Sequence, residues 1–193
     1  MNTKQIHSFA IASQKGVALV MALIFLLLLT MLGITALSTT SLEEKMATNT
    51  KERNTAFQAA ESALIVGEAW VIAQINKPIF PDNANGLYLP NSCTSNTAKS
   101  VWDCPDLNWS STSDLVVYPS TPTGTVSGGL TKVGTQPKYI IEDLGEMPET
   151  GGSVVVPTTY KGKGNTVLRI TARGTGSADA AQVMVQSVYS RAF

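Results

Sequence analysis

The stretch from Val17 to Leu37, VALVMALIFLLLLTMLGITAL, runs for twenty-one residues without a charge and is entered through Gln14-Lys15-Gly16. As a helix rising about 1.5 Å per residue it reaches roughly 30 Å, the hydrocarbon thickness of a bilayer. Ser38 to Lys77 still reads as helix, and no proline appears before Pro78. One apolar run therefore continues directly into a polar helix, which Asn76-Lys77-Pro78 is expected to end, because proline disfavours helix in the residue before it. From Val17 that is about 60 residues, on the order of 90 Å. No small domain hides a helix that long, so half of it must lie in lipid or among other chains.

With 193 residues, the chain has room for an anchor and one modest core. Its 14 basic and 14 acidic residues cancel, and removing residues 1–16, which carry Lys4 and Lys15, leaves 12 against 14, a net of −2. No basic cluster offers the phosphate neutralisation that nucleic acid needs, so no direct nucleic-acid contact is expected. His7 is the single histidine and lies in the N-terminal segment, so a chain trimmed at Gly16 has none. That removes Ser-His-Asp and Cys-His catalysis and any histidine zinc site. Cys93 and Cys104 are too far apart for a CxxC pair or zinc knuckle and are well placed for a disulfide in an oxidising compartment; the alternative is two unpaired buried thiols.

Residues 1–16, MNTKQIHSFAIASQKG, are short, polar and weakly basic. By the positive-inside rule Lys4 and Lys15 stay cytoplasmic, while Glu43 and Glu44 fall on the far side. Three readings compete: a cleaved secretory signal, a permanent single-span anchor, and a leader cut on the cytoplasmic side. An ordinary signal has an apolar core of about 7 to 15 residues before a small-residue cleavage site. Here the run is longer and flows into more helix, which makes the ordinary signal the weakest of the three.

Lys15-Gly16 followed at once by the apolar run and a soluble helix resembles the N-terminus of type IV pilins and type II secretion pseudopilins. The segments LEE-x-M-A-x-N and R-N-x-A-F-Q-A-A-E-x-A-L, within residues 15–68, resemble the PilX-type minor pilins, and RITARGTG (Arg169 to Gly176) does so more weakly. The resemblance implies cleavage between Gly16 and Val17 by a prepilin peptidase and methylation of the new N-terminal Val17. It implies an α+β, pilin-like fold, a long N-terminal helix, half transmembrane, packed on a C-terminal antiparallel β-sheet. The expected division is a leader at 1–16, a membrane and filament-core half-helix at 17–40, a soluble half-helix at 41–77, and a periplasmic head at 78–193 with a disulfide loop and sheet. One departure stands out: major pilins carry glutamate at the fifth position after the cut, and here that position is Met21. A buried charge in an apolar filament core is costly unless paired, so a subunit lacking it is best tolerated where no neighbour needs the pairing, at a tip; the alternative is that Met21 is a lipid-facing residue of a permanent anchor.

Thr30, Gly33 and Thr35 with Ser38-Thr39-Thr40-Ser41 form the weakest helical portion of the apolar run, where local stretching on assembly is conceivable. In the soluble half, Phe57, Ala60, Leu64, Gly67, Val71 and Ile75 recur every three or four positions and predict one stripe packed on a sheet. Ile79 to Ser113 is loop-rich, and its Asp82, Asp103 and Asp106, with Asp114, lack the order of a calcium loop. Trp70, Trp102 and Trp109 read as wall and core. Strands are expected at Leu115 to Tyr118, Lys138 to Leu144, Ser153 to Val156, Thr166 to Arg173 (Leu168, Ile170 and Ala172 on one face) and Ala181 to Tyr189 (Val183, Val185 and Tyr189 on one face), the last two forming a hairpin. Pro119 to Gly134 and Lys161 to Gly164 read as exposed loops.

Three functions compete. A structural minor pilin packs its apolar helix, with small residues Ala18, Ala22, Gly33 and Ala36, among sister helices and displays its head to other minor pilins, the major pilin and a tip adhesin. It moves from the inner membrane to an extracellular pilus tip and promotes twitching motility and adhesion. A membrane-anchored periplasmic binding or sensor protein keeps its first sixteen residues. A hydrolase lacks both histidine and a G-x-S-x-G elbow. No catalytic residue, metal or cofactor is expected.

Overall fold

A computed structural model of the chain describes residues 15–81, 85–90, 92, 93, 95, 99–147 and 164–193. The expected strand at Ser153 to Val156, the loop at Lys161 to Lys163, Asp82, His7 and the first fourteen residues lie outside them. The chain divides into two units, one ending at Ala47 and one covering Thr48–Phe193.

Helix α1 (Lys15–Ala73) supplies the described part of the first unit and is unbroken through the hydroxyl-rich portion there. Thr30, Thr35, Thr39 and Thr40 turn their hydroxyls back onto carbonyls of the preceding turn, at Leu27 (2.7 Å), Met31 (2.9 Å), Thr35 (3.1 Å) and Ala36 (3.1 Å). Such internal bonds keep a hydroxyl satisfied where no water is at hand and let it sit in an apolar helix.

The second unit is an α+β head in which the later part of α1 covers one face of a five-stranded sheet. The strands are β1 (Leu87–Tyr88), β2 (Val116–Val117), β3 (Lys138–Met147), β4 (Asn165–Thr175) and β5 (Gln182–Arg191). β3, β4 and β5 are antiparallel neighbours, and the expected C-terminal hairpin is β4 with β5, which pairs Leu168 with Tyr189 and Ala172 with Val185. β2 also joins β3 antiparallel, whereas β1, not foreseen, pairs with β3 in parallel, so the sheet is mixed at that edge.

Sheet and helix meet through small side chains. Ala56, Ala59, Ala60, Ala63, Gly67, Trp70 and Val71 are the buried positions of α1 and fall on one helix face. Ala63, Trp70 and Val71 cluster with Tyr139, Ile141, Leu168, Ile170 and Ala172, Gly67 lies against Ile170 and Tyr139, and Ala56, Ala59 and Ala60 lie against Gly174. The expected stripe is therefore rotated. Ala60, Gly67 and Val71 are buried and Leu64 is half-buried, but Phe57 is 43% exposed and Ile75 is 86% exposed. What this interface selects is small size rather than hydrophobicity. A Cβ on Gly67 would lie 2.9 Å from Ile170 Cγ2, and one on Gly174 would run into the carbonyl oxygen of Ala56 and the amide of Ala60.

α1 stops at Ala73, before the expected stop, and three groups hold its end. The Gln74 amide donates to Val71 O (3.2 Å) and its side-chain amide to Trp70 O (3.0 Å). Arg191 of β5 donates through Nη1 to Val71 O (3.2 Å) and Ile72 O (2.7 Å), bringing a cation to the negative end of the helix dipole, whose own last turn has no basic residue. On the same interface, Glu52 of α1 accepts the amide (2.7 Å) and hydroxyl of Ser177 and the amide of Ala178 (3.4 Å), fastening the β4–β5 turn to the helix. The Ser177 hydroxyl bond lowers the Glu52 pKa, so this fastening contributes above the ordinary carboxylate pKa and is lost as pH falls through the folded value.

Two substitutions test this packing by thermal or denaturant melts. Gly174→Val is expected to lower stability by roughly 1–3 kcal/mol through overpacking against the helix backbone. Arg191→Gln, which removes the borrowed cation but keeps a donor, is expected to cost about 1 kcal/mol.

Candidate functional site

From Gly16 to Thr50 every residue of α1 is exposed, including each large apolar side chain between Val17 and Leu37. Met21 is 55% exposed, and a Cβ on Gly33 would meet nothing within 4 Å. The helix is long and apolar enough to cross a membrane by length and composition. In water such a surface is strongly unfavourable, since each Å² of apolar area left wet forgoes about 25 cal/mol. The segment is thus a surface built to be covered.

On the head, β3 and β4 place charged residues on the sheet face opposite the helix. Glu142 is 2% exposed and accepts from Arg169 Nε (2.8 Å, Oε2) and Nη2 (2.9 Å, Oε1), a fork-to-fork pair whose arginine is 17% exposed. Its Oε1 also accepts the amide of Val101 (2.8 Å), at the start of a short 3-10 turn, Val101–Asp103. Lys138, on the same face, donates its ammonium protons to the carbonyls of Trp109 (3.1 Å), Ser110 (3.0 Å) and Ser111 (2.9 Å). Burial, and secondarily the nearby Arg173, lower the Lys138 pKa. These two strand residues hold a layer of irregular chain whose Tyr88, Val101, Leu115, Trp102, Leu107 and Trp109 pack on Ile140. The Tyr88 hydroxyl donates to Asp114 O (2.7 Å), and its pKa is pushed up to about 12 by burial and by the Asp114 charge.

Cys93 and Cys104 are joined in a disulfide within this layer. Their sulfurs and Asp106 lie within 4.8 Å of one another, a spacing suited to a metal, but disulfide sulfur offers no thiolate ligand. The other acidic residues of the loop are engaged separately: Asp103 with Lys99 (3.0 Å) and Asp114 with the Ser113 hydroxyl (2.9 Å). Asp106 accepts the amide of Ser95 (2.8 Å). Trp70 is buried and donates its indole N–H to Thr123 Oγ1 (3.1 Å), while Trp102 and Trp109 are half-buried in the second cluster.

Sequence reasoning did not single out Glu142, Lys138, Glu52 or Arg191. A signal for Glu142 was present, since an acidic residue in the apolar run KYIIEDL asks for a partner. The partner, Arg169, opens the RITARGTG segment, and Gly174 within it is where β4 meets the helix backbone.

Glu142→Gln is expected to cost about 3 kcal/mol in a melt, by leaving the half-covered Arg169 unneutralised. Glu142→Leu with Arg169→Met should recover only part of that loss, because the Val101 amide then loses its acceptor. Replacing both cysteines with serine removes a constraint worth roughly 3 kcal/mol on the chain-entropy treatment, read as a lower melting temperature under non-reducing conditions.

Comparison with known proteins covers both units. The family model described as PilX N-terminal matches residues 15–64, and the one described as Type IV pilus assembly protein PilX C-term matches residues 80–191. No match was found among curated proteins or among solved structures. With an exposed apolar helical segment in one unit, a helix-on-sheet head in the other, and family matches over more than half its length, the chain belongs to the PilX family of type IV pilus assembly proteins.

Proposed function

We propose that the chain is a structural minor pilin that helps initiate a type IV pilus and sits at or near its tip, promoting twitching motility and adhesion. The observation that carries this reading is the uncharged, exposed helix from Val17 to Leu37, set directly behind Lys15-Gly16 in a member of a pilus assembly family. Such a family works with other pilus components rather than on a substrate.

Before assembly the segment lies in the inner membrane, with the Lys4 and Lys15 side cytoplasmic and the head periplasmic. A prepilin peptidase removes residues 1–16 between Gly16 and Val17, and the new Val17 amine is methylated. Residues 17–40 then exchange lipid for helices of other minor pilins and the major pilin. Ala18, Ala22, Gly33 and Ala36 let those helices approach closely. Residues 41–77 and 78–193 carry the head, whose loops face neighbouring pilins and a tip adhesin. Met21 supports the tip assignment: without a carboxylate at that position the subunit has no charge to share with a neighbour in the apolar core.

Mass spectrometry of the protein recovered from sheared surface fibres tests this. The expected N-terminus is methylated Val17, and deleting the gene is expected to reduce surface filaments. An intact Met1, absence from sheared fibres and unchanged filaments would mean instead a permanently anchored periplasmic binding or sensor protein. Labelled copies spread evenly along filaments would remove the tip assignment.

A further inference from the structure

The head carries a groove of about 330 Å³ lined by residues of β3, β4 and β5 and by the loop at Trp109. Its size is at the low end of the roughly 300–1,000 Å³ usual for small-molecule sites. Lys138 and Arg173 both line it, and they stand directly opposite each other in the β3–β4 register. Like charges facing across a strand pair are destabilising. Among the described residues neither forms an ion pair with a carboxylate.

The two cations are compensated unequally. Lys138 is buried and spends its three donors on the loop carbonyls. Arg173 lies over the Trp109 ring, 5.7 Å from its centroid, and uses Nη2 on Gln182 Oε1. The rest of its five-donor fork has no hydrogen-bond partner among the described residues. An anion placed there would relieve the repulsion and fill the fork.

Asp179 narrows the choice of anion. It lines the same groove, is exposed, and accepts the Thr135 hydroxyl on Oδ2 (3.0 Å). Hydrogen bonds from Thr175 and Thr135 hold its pKa low, so it is ionised at neutral pH. Inorganic phosphate would meet this carboxylate with more negative charge. A ligand bearing hydroxyls beside a single carboxylate would give it donors. The planar guanidinium matches a carboxylate in two parallel bonds. The half-buried Trp109 adds an apolar wall against which a ring can lie.

We propose that the groove between Trp109, Arg173, Asp179 and Gln182 binds an acidic saccharide residue, its carboxylate on Arg173 and its neighbouring hydroxyls on Asp179 and Gln182. The test is a titration of the full-length protein in lipid nanodiscs, followed by calorimetry and tryptophan fluorescence. The probes are sodium glucuronate, glucose, inorganic phosphate and a short peptide with a free C-terminal carboxylate. Glucuronate is expected to bind saturably, and the other three at least tenfold more weakly, the order of one charge-assisted contact. Arg173→Gln is expected to weaken glucuronate roughly tenfold to a hundredfold. Should Arg173→Gln fail to fold, Asp179→Asn and Gln182→Ala, both at exposed positions, are expected to weaken it in the same direction. The proposal is overturned if glucuronate does not saturate, if glucose, phosphate or the peptide binds as well, or if the variants that fold bind glucuronate as the unmodified chain does.

Discussion

An uncharged helical segment as long as a bilayer is thick has no stable resting place in water, and the rest of this protein is arranged around that constraint. Every large side chain from Val17 to Leu37 is exposed, and the hydroxyls beside them are turned inward onto the helix's own carbonyls. The backbone and the threonines are thereby self-sufficient in hydrogen bonds, as any span in an apolar medium must be. Such a segment is satisfied equally by hydrocarbon or by other helices of its kind.

The head solves a different problem, which is to seat a sheet on the continuation of the same helix. A helix presenting leucines would hold the sheet at a distance set by its side chains. Here alanines and glycine face the sheet, and Gly174 answers from β4, so that backbone approaches backbone. Close approach gives up side-chain volume, and the head recovers order through polar fastenings at the edges of the contact: Arg191 at the helix end and Glu52 at the β4–β5 turn. On the other sheet face, the Glu142–Arg169 pair and Lys138 take the place that regular structure would otherwise fill. They satisfy the amide of Val101 and three loop carbonyls, and so allow a disulfide-closed stretch with little secondary structure to serve as a layer of the fold. Buried charge of this kind adds little net stability over an apolar core but leaves few alternative arrangements for the loop.

Much of this was legible in the residues. Length, absence of charge and the missing proline predicted the long helix; a strand-like run predicted β3 and alternation β4 and β5, and the polar turn at Gly174 to Asp179 predicted the β4–β5 hairpin; cysteine spacing predicted the disulfide. The helix face was read less well. Hydrophobicity pointed to Phe57 and Ile75, and the interface instead uses Ala56, Ala59 and Ala63, because size at a close contact is not recorded by an apolar period. β1 is two residues long and parallel to a strand more than fifty positions away, with no local pattern to announce it.

Sequence alone determined that the chain carries a membrane-length helix, an α+β head and a cross-linked loop. Each of those is written in contiguous residues and follows from period, charge and chain connectivity. Only the tertiary structure decided which side of the helix is buried, which strand charges pair, and that Lys138 faces Arg173 across a groove. Those outcomes depend on partners 27, 35 or 120 positions apart, such as Glu142 with Arg169, Lys138 with Arg173 and Val71 with Arg191. Register and packing bring such residues together, and no local preference records either.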